Sequence, residues 1–230
     1  MVHKLPPVLA GKIVRTAWIV TGGHCRSDAF SRGDPAPDLL LAADAGWKTA
    51  HAAGLVPDLV CGDFDSSETP QSVWPHVPLY RVPAEKDDTD TMLACDLACL
   101  AGAKELVVFG GTGGRIDHSL SNLYLLEHLR RRGADARLTD GDNRVRLLEN
   151  ETLLLRPAGY RYFSLIALDR ALVTLRGCKY PLEEGVLTRA LPFAVSNEIT
   201  AGHAEITVRG GGVFLIESAY TAGDGAHILE

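Results

Sequence analysis

Two stretches of this 230-residue chain crowd carboxylates closely enough that mutual repulsion must be offset by something positive. In VCGDFDS (60–66), Asp63 and Asp65 stand one residue apart at the end of the apolar run PDLVCG. In AEKDDTD (84–90), Glu85, Asp87, Asp88 and Asp90 surround the single lysine Lys86. Carboxylates converging on one point need a cation, and hard oxygen ligands suit Mg²⁺. Mg²⁺ held by a few carboxylates completes its shell with water and substrate phosphates, so the pattern points to a polyphosphate substrate. A glycine loop, GGTGGR (110–115), adds Arg115, whose guanidinium fits forked phosphate contacts.

Each piece also has a plainer reading. Asp63 and Asp65 suit a turn in which side chains bond nearby backbone. Asp87, Asp88 and Asp90 suit the cap and first turn of the helix that follows, but capping accounts for one or two acids and not for four within six residues. Asp44, after LLLAA, reads alone as a turn or cap. The glycine loop alone reads as a tight connection. His118, at a helix start, reads as a packing or hydrogen-bonding residue before it reads as a general base.

The elements that must position these groups alternate. TAWIVTGG, DLLLAADAG, DLVCGDFDS and ELVVFGG are short apolar runs ending in Gly or Asp. WKTAHAAGL, TDTMLACDLACLAGAK and DHSLSNLYLLEHLRRRG carry helical spacing. The second places Met92, Leu93, Leu97 and Leu100 on one side; the third draws its stripe from Leu120, Leu123, Tyr124 and Leu126 to Leu129. Its basic end LRRRG complements the helix dipole. ARLTDGDNRVRLLEN returns to strand. Such alternation predicts a mostly parallel sheet covered on both faces, with ligands beyond the carboxyl ends of its strands. After about residue 150 only short strands between Gly, Pro and Asp turns remain, which predicts an antiparallel β-sandwich or barrel. The expected organisation is an α/β nucleotide- and metal-binding catalytic domain over 1–149 and a β-sandwich over 150–230.

Composition excludes several classes. With 23 Lys and Arg against 29 Asp and Glu the formal charge is −6, and no basic cluster suggests a nucleic-acid surface. Five cysteines form no CxxC pair and read as reduced thiols. No apolar run reaches membrane-spanning length, and the N-terminal stretch is too short for a signal peptide, so a cytoplasmic location without membrane partners is expected. GGTGGRI fails the GxGxxG pattern because Ile116 takes the sixth position, and no GxxxxGK[ST] occurs.

PDLVCGDFDS, EKDDTD, GGTGGRIDHSLSN and VSNE occur together in an order and spacing that resembles the thiamine pyrophosphokinases, over roughly residues 17 to 216. The resemblance implies an α/β domain followed by a β-sandwich that binds thiamine, and a homodimer with its active sites at the interface. It implies transfer of the β,γ-diphosphate of the co-substrate ATP to the thiamine hydroxyl. Carried over by motif, Asp63, Asp65 and Asp90 hold Mg²⁺ and the phosphates, and Arg115 binds polyphosphate. Lys86, Asp87, Thr89, Gly113, Gly114, Asp117 and His118 surround the nucleotide. Asp44 resembles the acid of the family's ADGG motif, and Ser196 and Asn197 contact thiamine. Ile199 follows SNE where bacterial relatives often carry an aromatic, so the stacking ring is sought in Tyr180. Rival readings are a pyrophosphokinase acting on another primary alcohol, such as a hydroxymethylpterin, and a DxD nucleotidyl- or glycosyltransferase. A non-catalytic sensor of nucleotide or thiamine is disfavoured because every acidic motif is retained.

Overall fold

A computed structural model of the chain describes residues 3–31, 35–64, 69–83, 85, 88–113 and 115–219. The chain folds as two compact units, Met1–Gly141 and Asp142–Glu230. The second begins ahead of position 150, where the sequence pattern changes, because ARLTDGDNRVRLLEN folds as two strands rather than one.

The first unit is a parallel sheet with helices. Its strands are β1 (Thr16–Val20), β2 (Leu39–Ala43), β3 (Leu59–Gly62), β4 (Leu79–Arg81), β5 (Glu105–Phe109) and β6 (Asp135–Thr139). Its helices are α1 (Gly46–Ala52), α2 (Asp90–Leu100) and α3 (Ile116–Arg131). Strand order is β4-β3-β2-β1-β5-β6, every pair parallel. β2 and β3 are buried throughout, and β1 and β5 are buried after their first residues, as strands covered on both faces must be. The chain winds outward from β1 through β2 to β4, then resumes on the other side with β5. Val20 pairs with both Ala42 and Phe109, so the carboxyl ends of β1, β2 and β5 finish level. The gap between the β1 and β5 ends is the topological switch point, where such sheets bind ligands.

The helices match the sequence reading in place but not wholly in facing. Thr89 caps α2, its hydroxyl accepting from the Met92 N–H at 3.2 Å. Leu93 to Ala98 are all buried, while Leu100 is exposed. On α3 the buried set is Asn122, Leu125, Leu126 and Leu129, and the expected stripe members Leu120 and Tyr124 are 50% and 49% exposed. At 100° per residue, 120 and 124 share a side that 122 and 126 oppose, so Leu126 and Leu129 are buried as expected while Leu120 and Tyr124 fall on the outer side. The buried Asp96 of α2 is matched from α3 by His128 at 2.9 Å and, just beyond it, Arg132 at 3.5 Å.

The second unit is two antiparallel sheets. One runs β7 (Asn143–Glu149), β13 (Gly212–Ser218), β9 (Tyr162–Ala167); the other runs β11 (Leu182–Thr188), β10 (Arg170–Arg176), β12 (Ala204–Arg209), β8 (Thr152–Leu155). Burial alternates along β9, β10 and β12, and Phe163, Leu165 and Leu215 share one core with Val173, Leu175 and Ile206. Two half-buried sheets sharing a core form a sandwich. The five cysteines are all free thiols. Among the described residues no helix is long and apolar enough to cross a membrane.

Candidate active site

At the switch point lies a cleft of about 450 Å³. One wall is the turn after β1, Thr21 to Gly23, and the opposite wall is the loop after β5. The two touch backbone to backbone: a Cβ on Gly23 would stand 2.0 Å from the Gly110 carbonyl oxygen, so only glycine permits the approach. Side chains then fix the loop. Thr21 Oγ1 donates to the Gly110 carbonyl at 2.6 Å, Asn122 Nδ2 to the Gly111 carbonyl at 2.8 Å, and Ser119 Oγ to the Gly113 carbonyl at 3.2 Å. Thr112 Oγ1 donates to the carboxylate of Asp140, at the end of β6. A loop held by its carbonyls is a rigid platform for an anion.

The acids arrive from β2 and from the α2 cap. Asp44 directly follows β2 with φ of +44°, a left-handed conformation that an aspartate tolerates. Its N–H donates to the Cys61 carbonyl at 2.8 Å, which ties it to β3. Thr89 and Asp90 line the cleft from the amino end of α2, with Asp88 beside them. Asp63 directly follows β3 and so adjoins Asp44, but it is not part of the cleft wall. Phe64 explains why an aromatic stands within the acidic motif. It is buried at φ of +52°, packs with Ala42, Trp47, Val60 and Val77, and lies under the Arg81 guanidinium at 4.9 Å. That anchor holds the strained turn that carries Asp63.

Arg115 opens α3 and is exposed at the cleft rim together with His118. Its guanidinium grips Asp117 with two bonds, Nη2 at 2.6 Å and Nε at 3.2 Å. These bonds hold the Asp117 carboxyl down at about 2. Asp117 thus serves Arg115, fixing the orientation of a cation at the mouth of the cleft.

The structure therefore brings together Asp44, Thr89, Asp90, Gly113, Arg115 and His118. Asp65, Lys86, Asp87 and Gly114 lie outside the described residues. Sequence reasoning does not single out Thr21, Gly23 or Asn122 as site residues, and names Asp88 only as a member of the acidic knot. The TGG after β1 and the polar Asn122 within the buried face of α3 are the signals that point to them.

No three His, Cys, Asp or Glu groups among the described residues close a metal shell by themselves. Mg²⁺ binds through one or two carboxylates and takes its remaining ligands from phosphate and water. Asp44, Asp88 and Asp90 are the described carboxylates that line the cleft, and such a role would fall to carboxylates of this set.

Tyr180, Ser196 and Asn197 form their own group in the second unit. Asn197 is 4% exposed and uses its whole carboxamide locally. Nδ2 donates to the Tyr180 carbonyl at 2.9 Å, and Oδ1 accepts from the N–H groups of Tyr180 and Glu198, each at 3.0 Å. It clamps the backbone of Tyr180, whose side chain stays exposed. Ser196 takes φ of +54°, and its N–H donates to Ser164 Oγ at 3.0 Å.

The family description of the thiamin pyrophosphokinase catalytic domain matches residues 36–138, and that of the thiamin pyrophosphokinase vitamin B1 binding domain matches residues 150–212. A thiamine pyrophosphokinase of Bacillus subtilis is 32% identical over 188 residues, which is 78% of this chain and 87% of that protein. The crystal structure of thiamine pyrophosphokinase from Bacillus subtilis superposes with a TM-score of 0.81 at 29% identity, covering 90% of this chain and 100% of the other. That of thiamin pyrophosphokinase from Geobacillus thermodenitrificans superposes with a TM-score of 0.78 at 29% identity, covering 90% and 99%.

Proposed function

Because the chain belongs to the thiamine pyrophosphokinase family, an enzyme family of diphosphotransferases, we propose that it moves the β,γ-diphosphate of ATP to thiamine with Mg²⁺. The products are thiamine diphosphate and AMP. The observation that carries this reading is the cleft at the β1/β5 switch point, where Asp44 and Asp90 face the same space as Arg115 and the glycine loop. In this reaction the thiamine hydroxyl oxygen gives up its proton to water and bonds to Pβ, the bond from Pβ to the oxygen bridging to Pα breaks, and AMP leaves with that oxygen.

Such transfer needs charge neutralisation and in-line positioning more than a covalent intermediate. Arg115, oriented by Asp117, meets phosphate charge at the cleft mouth. The loop fixed by Thr21 and Asn122 seats the polyphosphate. Asp63 and Asp65 of the GDFD motif and Asp90, joined by Asp44 in the cleft, would hold Mg²⁺; the ion would neutralise charge that develops on the transferred group. Lys86, Asp87, Thr89 and Gly114 complete the nucleotide site in this reading, and His118 lies at its rim.

The second domain, 150–230, supplies the acceptor site. Tyr180, held by Asn197, offers a ring to stack on thiamine, and Ser196 stands next to the clamp. We place the working enzyme in a homodimer that brings this site to the phosphates, and in the cytoplasm, where its five thiols stay reduced. The test is a product analysis: protein, ATP, Mg²⁺ and thiamine are incubated and the products identified by mass. AMP accumulating in step with thiamine diphosphate supports the assignment, and ADP with thiamine monophosphate refutes it.

A further inference from the structure

The N-terminal segment reaches the cleft. His3 Nε2 lies 2.9 Å from Asp88 Oδ2, joining residues 85 positions apart. Both side chains are sequestered, at 7% and 10% exposure. The segment that delivers His3 is anchored along its length. Leu9 is fully buried in a 3-10 turn over Pro7–Leu9, and Lys12 pairs with Asp58 at 2.6 Å. Asp58 in turn accepts from the Leu40 N–H of β2 at 2.8 Å. None of residues 3–14 falls within the matched catalytic-domain region, which starts at 36.

We propose that His3 is a positioning residue for nucleotide binding, acting through Asp88. The proposal rests on the function assigned above. A carboxylate only accepts hydrogen bonds, and one this secluded needs a donor. The imidazole supplies it in either protonation state, because Nε2 can carry its proton in both. Asp88 lines the cleft and immediately precedes Thr89, which caps α2, and Asp90. With His3 in place, the Asp88 charge is occupied away from the polyphosphate, and the turn presenting Thr89 and Asp90 is held. Without it, Asp88 must find another donor or cation, and the nearest space is the cleft. A merely structural tie would affect stability and leave nucleotide affinity alone.

The test titrates Mg²⁺·α,β-methylene-ATP calorimetrically into wild type, His3→Ala and His3→Gln. His3→Ala should bind about tenfold more weakly, the loss expected of one hydrogen bond to a charged group. His3→Gln, whose amide nitrogen reaches about as far as Nε2, should stay within about twofold of wild type, since the donor is what counts. The KM for ATP should rise in His3→Ala while that for thiamine does not. Placed in an Asp88→Asn background, His3→Ala should weaken binding no further. Should His3→Ala fail to fold, His3→Leu takes its place with the same expected loss. Wild-type affinity in the Ala or Leu variant, equal weakening in the Gln variant, or equal rises in both KM values would overturn the proposal alone. Wild type that binds no nucleotide would overturn it together with the functional reading.

Discussion

Gly62 passes so close to Asp44 that a Cβ on it would stand 3.2 Å from the Asp44 Cα. The glycine of the GDFD motif is therefore there to let β3 run beside the acid at the tip of β2. Gly62→Ala must push the Asp44 backbone by a few tenths of an ångström. Because displacements of this kind at a positioned charge are costly to turnover, kcat should fall by about tenfold or more. Circular dichroism should show the fold retained. Unchanged kcat would show that the position of Asp44 is immaterial.

Phe64 carries the second half of that motif. Phe64→Ala empties a buried aromatic site beside Trp47 and Val77, and should cost about 3 kcal/mol of stability in urea unfolding. Freed from its anchor, the turn should also hold Mg²⁺ more weakly, read as a rightward shift of the Mg²⁺ activation curve. Lost stability with an unshifted curve would make the ring structural only.

Much of this architecture is legible in the sequence for a physical reason. Parallel strands buried on both faces read as unbroken apolar runs, so LLLAA and ELVVF announce themselves, and the residues directly after them line the cleft. What stays hidden depends on long-range geometry. β4 is three residues at a sheet edge, too short and too exposed for a pattern. Thr21 and Asn122 serve by holding carbonyls that lie 89 and 11 residues away. His3 meets Asp88 only in three dimensions. The facing of α3 is read correctly at Leu126 and Leu129 but not at its amino end, where a polar residue, Asn122, occupies the buried side while Leu120 and Tyr124 are exposed.

Asn197 predicts a selective defect. Asn197→Asp replaces the donor that faces the Tyr180 carbonyl with an acceptor, so the clamp loses about 1–3 kcal/mol and Tyr180 loosens. The KM for thiamine should rise several-fold more than that for ATP. Equal effects on both would detach Tyr180 from the acceptor.

The Arg115–Asp117 fork sets a pH behaviour. The folded pKa of Asp117 is depressed to about 2 from 3.8, so its contribution is present above the unfolded value and is lost as pH falls from about 4 through about 2. An NMR titration of the Asp117 carboxyl should give that low midpoint. In Arg115→Ala it should return toward the ordinary value, and polyphosphate affinity should drop. An ordinary midpoint in wild type would mean that the fork does not form in solution.

The most direct test of the account is the Asp90→Asn variant, which removes one cleft charge while preserving size. Asp90 also sits in the first turn of α2, where a carboxylate contributes at most about 1 kcal/mol, so the thermal midpoint should move by no more than about 4 °C. Thiamine diphosphate formation at saturating ATP and Mg²⁺ should nonetheless fall by about 10² or more, the loss expected when a metal-bound charge is misplaced. A folded Asp90→Asn protein turning over at the wild-type rate would contradict the assignment of this cleft as the site of diphosphoryl transfer.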